Sequence, residues 1–188
     1  MFDQIIARVA ASLDQAGLPY MIIGGQAVLL HGEPRLTRDI DITLGVDVDR
    51  LETLLDVIRK LSLKILPEEA AAFVRQTMVL PTLDETTHIR LDFIFSFTPY
   101  EFQAIRRAKK VKILGQAVSF ASAEDLIIHK IFAGRPRDLE DVRSVILKNP
   151  GLDVPYIEAW LKAFDEASDD RPFLPAFMRI AGIPSEGQ

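Results

Sequence analysis

The sequence predicts an α+β fold, in which a mixed β-sheet flanked by helices is followed by a small C-terminal helical bundle. Two observations concern the sheet. Apolar and polar residues alternate over residues 39–44 and 88–95, and this two-residue period is typical of strands. The third observation concerns the end of the chain, where apolar residues over 123–167 recur only at helical spacing.

The elements of the first part follow from periodicity and from residues that end helices or strands. Gly17 closes a first helix, Gly24-Gly25 ends a first strand, and residues 84–87 have the composition of a hairpin loop. The predicted helices here span residues 2–16, 26–31, 48–61, 67–74 and 98–108. The predicted strands span residues 19–23, 39–44, 63–66, 76–83, 88–95, 110–114 and 117–120.

The second part of the chain is predicted to be helical. Ser122 is a good N-cap for a helix over 123–133, and Gly134 with Pro136 separates that helix from the next. The further helices are expected at residues 137–148 and 154–167, followed after Asp170 by a loosely packed helix in a proline-rich segment.

Size and composition fit one globular domain with a helical appendage. The chain has 188 residues, of which 48% are hydrophobic, so it can bury a core. We expect an α/β core over residues 1–120 and a helical region packed on it over residues 121–188. Charged residues interrupt the N-terminal apolar residues and no run is long enough to span a membrane, so a cytoplasmic protein without membrane association is expected.

Charge and cysteine content exclude several kinds of function. The chain has no cysteine, which excludes disulfides and thiolate zinc sites. Its net charge of −5 argues against a protein that coats nucleic acid through general electrostatics. The net charge does not exclude a nucleic-acid substrate held by a local basic patch. Residues 106–112, which include five cations, are the candidate for such a patch. The alternative for these cations is a solvated helix end that runs into an edge strand.

Two carboxylates share one face of a predicted strand. Asp39 and Asp41 are two residues apart, so their side chains point the same way and repel each other unless a cation lies between them. Oxygen ligands without a neighbouring histidine or cysteine favour Mg²⁺ or Mn²⁺. Asp92, on the polar side of a later strand, is the candidate for a third carboxylate of a two-metal site.

The glycine pair before these carboxylates indicates a phosphate site. A strand that ends in Gly24-Gly25 and enters a helix presents backbone N–H groups at the positive helix end. The absence of side chains lets a phosphate approach the backbone closely. Carboxylates that hold metals and a turn that binds phosphate together predict phosphoryl or nucleotidyl transfer.

These motifs resemble a known superfamily. Gly25, a spacing of thirteen residues, Asp39-Ile40-Asp41-Ile42 and the later Asp92 are similar to the signature of the polymerase-β-like nucleotidyltransferases. More narrowly, residues 24–41 with residues 124–142 resemble the AbiEii/MenT branch, the nucleotidyltransferase toxins of type IV toxin–antitoxin systems. The resemblance covers about residues 18–147 and implies the minimal nucleotidyltransferase fold.

The resemblance also implies roles for individual residues. Asp39, Asp41 and Asp92 would bind the metals, and Asp92 would help to activate the acceptor hydroxyl. Lys130 would reach the triphosphate, unless it is a surface lysine whose stem alone is buried. Asp138 and Asp141 are supporting residues: Asp138 falls in the first turn of a helix, where the dipole favours a carboxylate, or the two aspartates orient Lys130 or Arg137. The complete set expected to contact nucleotide or phosphate is Gly24, Gly25, Arg35, Thr37, Arg38, Lys130 and Arg137.

Alternatives remain for the two arginines and for the function. Arg35 and Arg38 would contact phosphates or acceptor, or pair with Glu33 or with the aspartates themselves. The implied activity is Mg²⁺- or Mn²⁺-dependent transfer of NMP from an NTP to an acceptor hydroxyl, by a toxin that acts on tRNA or another RNA and has a cognate antitoxin partner. The alternatives are an aminoglycoside or lincosamide adenylyltransferase and a non-catalytic nucleotide-binding or antitoxin-like protein.

Overall fold

A mixed β-sheet organises the first of two compact units in this computed structural model, which describes residues 1–96, 98–168 and 172–183. Within those residues seven strands join one sheet in the order β3-β4-β5-β2-β1-β7-β6, with β1–β7 and β2–β5 parallel and the other pairs antiparallel. The strands are β1 (Tyr20–Ile23), β2 (Asp39–Leu44), β3 (Lys64–Ile65), β4 (Val79–Asp84), β5 (Ile89–Phe95), β6 (Lys109–Ile113) and β7 (Gln116–Phe120).

Helices alternate with the strands along the first part of the chain and make up most of the second unit. They are α1 (Phe2–Gln15), α2 (Gly24–His31), α3 (Leu51–Leu61), α4 (Ala70–Thr77), α5 (Pro99–Arg107), α6 (Ala123–Ala133), α7 (Pro136–Lys148), α8 (Val154–Ala167) and α9 (Phe173–Ala181), with a 3₁₀ turn at Val48–Arg50. No helix among the described residues has both the length and the apolar character needed to cross a membrane.

The first unit contains residues 1–26 and 36–121. Its core lies on one face of the sheet, where Ile22, Ile42 and Phe93 are register neighbours on three adjacent strands and are fully buried. Helix α1 packs against β7 and α3. Because side chains alternate along a strand, the residues between these apolar ones point to the opposite face. Asp41 and Asp92 lie on that opposite face.

The second unit combines residues 27–35 with the chain from residue 122 onward. Helix α6 packs against α7, α8 and α9 in this unit. Asn149 Nδ2 donates a hydrogen bond of 2.7 Å to the carbonyl of His31, and Gly32 lies against Ser144. The sequence predicted a division at residue 120 and placed residues 27–35 in the first part, whereas in the structure they group with the later helices.

Several elements differ from their predicted form, among them the strand predicted at 76–83, which is β4 at Val79–Asp84. Helix α2 begins at Gly24 rather than at residue 26, so both glycines belong to its first turn. The helix predicted at 67–74 lies at Ala70–Thr77. The prediction of loose packing after Asp170 was wrong for the described residues 172–183, because Phe173 and Phe177 of α9 are buried. The Asp165 carboxylate also accepts hydrogen bonds of 2.5 and 3.0 Å from the N–H groups of Phe173 and Leu174, which fixes the start of α9.

Candidate active site

Three carboxylates lie on neighbouring strands of the first unit. Asp41 on β2 and Asp92 on β5 are direct register partners in the parallel pair, and Asp39 precedes Asp41 by two residues on the same face. Adjacent strands are about 4.8 Å apart, so the side chains of register partners are close neighbours. Asp39 is exposed, whereas Asp41 and Asp92 are half-buried. The structure thus brings together the three aspartates that the sequence singled out.

A cationic side chain, that of Arg90, also belongs to this cluster, although it was not among the site residues expected from the sequence. Arg90 is the register partner of Asp39, and its Nε donates a hydrogen bond of 2.8 Å to Asp92 Oδ1. That hydrogen bond, together with the negative charges of Asp92, Asp39 and Asp41, raises the pKa of Arg90. A signal was present in the sequence, because the alternation that placed Asp92 on one face of β5 places Arg90 there too.

The glycine pair lies against the segment that carries the aspartates. Gly24 has φ +62°, and a β-carbon built there would lie 2.8 Å from Asp41 Cγ and would overlap the carboxylate. At Gly25 the same atom would lie 2.7 Å from Thr37 Cβ. The first turn of α2 therefore accepts the side chains of Asp41 and Thr37 only because residues 24 and 25 have no β-carbon. This requirement is additional to the phosphate approach that the sequence suggested.

The donor chemistry of the cluster fits a hard divalent cation. Asp39 and Asp41 offer only carboxylate oxygens, which are the ligands of Mg²⁺ and Mn²⁺, and Gly24 leaves room for the Asp41 carboxylate beside the helix start. Within residues 1–96, 98–168 and 172–183, no group of three histidine, cysteine, aspartate or glutamate side chains is already arranged to hold a metal. One of the three carboxylates, that of Asp92, contacts the guanidinium of Arg90.

A second charged cluster occupies the second unit. Lys130 Nζ lies 2.6 Å from Asp138 Oδ1 and 2.9 Å from Asp141 Oδ2, and all three side chains are buried. Arg35 donates to both oxygens of Asp141, at 2.8 and 2.9 Å, and Arg135 Nε donates to Asp138 at 2.6 Å. Two of the three N–H donors of Lys130 therefore meet carboxylates.

The two aspartates of this cluster remain charged despite their burial. Burial by itself would raise the pKa of Asp138, but hydrogen bonds and charges from Lys130 and Arg135 outweigh it and lower the pKa. Burial would likewise raise the pKa of Asp141, and hydrogen bonds from Arg35 and Lys130 reverse the direction. Each carboxylate is thus held ionised by two cations.

The predicted site residues consequently fall in two groups. Gly24, Gly25, Thr37, Asp39, Asp41 and Asp92 lie in the first unit, with the exposed Arg38. Arg35, Lys130, Asp138 and Asp141 form the charged cluster of the second unit, and the exposed Arg137 follows Pro136 at the start of α7. Arg135, which pairs with Asp138, was not singled out from the sequence.

The fold is that of the nucleotidyltransferase class. The particular family follows from sequence: residues 1–172 match the family described as "Nucleotidyltransferase of unknown function (DUF6036)", and the chain belongs to it. Among curated proteins, none matches this chain.

Solved structures of nucleotidyltransferases are similar to the chain over most of its length. The solution structure of the antibiotic-resistance factor ANT(2″)-Ia has a TM-score of 0.60 and 20% identity, covering 88% of this chain and 92% of that one. The crystal structure of ANT(2″)-Ia with adenylyl-2″-tobramycin has a TM-score of 0.58 and 21% identity, covering 88% and 98%. An antigenic nucleotidyltransferase-like protein from Paracoccidioides brasiliensis has a TM-score of 0.55 and 18% identity, covering 95% and 92%. These similarities concern the fold.

Proposed function

We propose that this protein transfers NMP from an NTP to an acceptor hydroxyl with the help of Mg²⁺ or Mn²⁺. The observation that carries the proposal is the register of β2 and β5, which makes Asp92 the direct partner of Asp41 on the face that Asp39 shares. Three carboxylates on one sheet face repel one another, and a divalent cation both relieves that repulsion and binds a triphosphate.

Each residue of the first unit has a role in this proposal. Asp39, Asp41 and Asp92 would hold the cation, and Asp92 would also help to activate the acceptor hydroxyl by accepting its proton. The bound cation would supply charge neutralisation for the triphosphate and a lower pKa for the acceptor hydroxyl. The backbone N–H groups that follow Gly24 and Gly25 in the first turn of α2 would donate hydrogen bonds to phosphate oxygens. The acceptor oxygen then bonds to the α-phosphorus as the bond to the pyrophosphate oxygen breaks.

The roles of residues in the second unit rest on the family resemblance. Lys130 and Arg137 are proposed to bind the triphosphate, and Asp138 with Asp141 is proposed to orient Lys130. The contacts of 2.6 and 2.9 Å from Lys130 to the two aspartates support an orienting role. Arg35 pairs with Asp141, a partner that was not among those expected from the sequence, and this pair engages the guanidinium that a phosphate contact would need.

For the acceptor, we propose RNA, with tRNA as the first candidate. Two features support it: the resemblance of residues 24–41 and 124–142 to the AbiEii/MenT toxins, and the exposed lysines of β6. A cognate antitoxin and a cytoplasmic location are expectations of the same resemblance.

A second candidate acceptor is an aminoglycoside. The specific observation in its favour is the similarity to ANT(2″)-Ia, which extends over 92% of that chain and whose crystal structure contains adenylyl-2″-tobramycin. An identity of about one fifth supports a shared fold and leaves the acceptor to be tested.

The test is transfer from each of the four α-³²P-labelled NTPs, with Mg²⁺, onto total tRNA and onto a panel of aminoglycosides and lincosamides. Label in RNA supports the first candidate, and label in a drug supports the second. Asp39→Asn and Asp41→Asn should abolish transfer, whereas Asp56→Asn, an exposed carboxylate paired with Arg59, should retain it. NTP binding without transfer to any acceptor would favour the non-catalytic alternative, and absence of NTP–Mg²⁺ binding by calorimetry would contradict the proposal.

A further inference from the structure

Arg90 occupies the position of a counter-ion among the three carboxylates. It is the register partner of Asp39, it precedes Asp92 by two residues on the same face of β5, and its Nε lies 2.8 Å from Asp92 Oδ1. Its charge also interacts with those of Asp39 and Asp41. One guanidinium thus relieves part of the repulsion that would otherwise act within the carboxylate cluster.

The contact between Arg90 and Asp92 is exposed enough for another group to replace either side chain. The Arg90 side chain is 49% exposed and that of Asp92 is 19% exposed, so water can replace either partner. The hydrogen bond joins one guanidinium nitrogen to one carboxylate oxygen. By comparison, Arg35 contacts both oxygens of the buried Asp141. Exposed single contacts of this kind contribute little to stability.

A cation bound by Asp39 and Asp41 would compete with Arg90 for Asp92. Asp92 is the direct neighbour of Asp41, so a cation held there would attract the same carboxylate that accepts the hydrogen bond from Arg90. A divalent cation in the cluster would also repel the guanidinium. Both effects oppose simultaneous occupation of the cluster by Arg90 and a divalent cation.

We propose that Arg90 is an internal counter-ion that holds Asp92 away from the metal-binding arrangement and competes with the divalent cation for it. This inference rests on the proposed function, since it concerns the same cation site. Arg90 is thereby a positioning residue, which acts through Asp92. Removal of its charge should leave the fold intact and make the cluster a better cation site.

The test measures Mn²⁺ binding to the full chain, by calorimetry and by the electron paramagnetic resonance signal of free Mn²⁺, without nucleotide. Arg90→Gln should bind Mn²⁺ about fivefold more tightly than the natural chain, because one competing charge is gone. Arg90→Lys keeps the charge and should stay within about twofold of the natural chain. The control is Arg59→Gln, which removes an exposed 2.6 Å pair with Asp56 within α3, outside the sheet, and should not change the affinity.

A double-mutant cycle shows whether Arg90 acts through Asp92. In an Asp92→Asn background, the tightening caused by Arg90→Gln should fall well below fivefold, because the carboxylate for which Arg90 competes is absent. The thermal midpoint of metal-free Arg90→Gln should stay near that of the natural chain, which establishes that the variant is folded.

The outcomes separate this inference from the proposed function. Equal Mn²⁺ affinity of the natural chain and Arg90→Gln, or weaker binding by the variant, would overturn the counter-ion role while leaving the cation site in place. Absence of Mn²⁺ binding by every folded variant would overturn the proposed function and the counter-ion role together. Tightening that persists unchanged with Asp92→Asn would also overturn the role assigned to Asp92.

Discussion

The carboxylate of Asp41 lies in the space that a β-carbon at position 24 would occupy, so Gly24 and Asp41 form one packed unit. Gly24 has φ +62°, a left-handed conformation that disfavours side chains, and the Asp41 carboxylate fills the free volume beside it. The glycine motif and the carboxylate motif are thus coupled sterically, and a change at either one should alter the other.

Gly24→Ala should therefore disturb the carboxylate cluster as well as the backbone. The left-handed φ alone costs roughly 1 kcal/mol for alanine, and displacement of Asp41 should add to that loss of unfolding free energy. Mn²⁺ binding should weaken at least tenfold, which corresponds to about 1.4 kcal/mol. Urea unfolding and calorimetry measure the two effects.

Gly17→Ala is the matched control for this substitution. Gly17 has the same φ of +62°, but nothing lies within 4 Å of a β-carbon built there. Its loss of stability should be confined to the backbone cost, and its Mn²⁺ affinity should not change. If both alanine variants lose the same stability and both keep Mn²⁺ binding, the steric coupling of Gly24 to Asp41 has no energetic consequence.

Lys130→Met should be among the most destabilising single substitutions in the second unit. It leaves Asp138 and Asp141 buried with one cation each, Arg135 and Arg35. Removal of one partner from a buried charged group typically costs about 3–5 kcal/mol of unfolding free energy. Urea unfolding at pH 7 measures this loss. Lys162→Met, at an exposed position of α8, should change stability by less than about 0.5 kcal/mol.

A triple variant tests whether Lys130 contributes to nucleotide binding in addition to stability. The Lys130→Met, Asp138→Asn, Asp141→Asn triple variant removes the lysine without leaving either carboxylate charged and unpaired. If ATP–Mg²⁺ affinity falls in this variant at a temperature where it is folded, the triphosphate role is supported. Unchanged affinity would assign Lys130 to the stability of the second unit alone.

The sequence was sufficient to predict the elements that carry the carboxylates. Strand β2 has the predicted bounds, because strict alternation over residues 39–44 has no helical interpretation. Placement of Asp92 beside Asp41 required the pairing of β2 with β5, which the sequence indicated only through the shared polar face. Arg90 was missed because a metal site is predicted from residues that bind a cation, whereas a basic residue competes with it.

Relationships between distant residues could not be predicted. Residues 27–35 belong to the second unit, where Arg35 pairs with Asp141, a contact across 106 positions that leaves no periodic signal. The packing of α9 depends on Asp165 and on the burial of Phe173 and Phe177, whereas the sequence predicted a loosely packed helix in this proline-rich segment. Such features follow from tertiary contacts that override local propensity.

Acid should destabilise the protein in two separable steps, and His129 causes the first. Burial, and then the neighbouring charge of Lys130, lowers the pKa of His129 from 6.5 to about 4. In the unfolded chain this histidine binds a proton as the pH falls below 6.5, whereas in the native state it stays neutral until about pH 4. Stability should therefore decline as the pH falls through this window, by up to about 3 kcal/mol from this group.

His129→Gln should flatten the stability profile between pH 6.5 and pH 4, measured by urea unfolding at half-unit steps. His88→Asn, at an exposed position in the turn before β5, is the control and should retain the decline. An unchanged slope in His129→Gln would assign the acid sensitivity to other groups.

The second acid step should belong to Asp138 and Asp141, whose pKa values are lowered in the native state. A depressed carboxylate pKa stabilises the fold above the unfolded-state value of 3.8, and this contribution is lost as the pH falls further. Asp138→Asn should reduce the loss of stability below pH 4 and leave the His129 window unaltered. A change confined to pH 4–6.5 would contradict this assignment.

The lysines of β6 provide a test of the RNA acceptor. Lys110 and Lys112 are exposed on an edge strand, and the pairing across β1, β7 and β6 puts them on the same face of the sheet as Asp41. Lysines on an edge strand also prevent edge-to-edge association, so their presence has two explanations with different consequences.

If the acceptor is RNA, Lys110→Gln with Lys112→Gln should weaken tRNA binding and lower the slope of log affinity against log salt by about 1–2, since each lost phosphate contact removes roughly one released counterion. ATP–Mg²⁺ affinity should not change, because these side chains are far along the sheet from the carboxylates. Lys60→Gln with Lys148→Gln, at exposed positions of α3 and α7, makes the same change in net charge and should leave the slope intact. An unaltered slope in the β6 variant, accompanied by concentration-dependent association in light scattering, would show that these lysines protect the sheet edge and do not contact RNA.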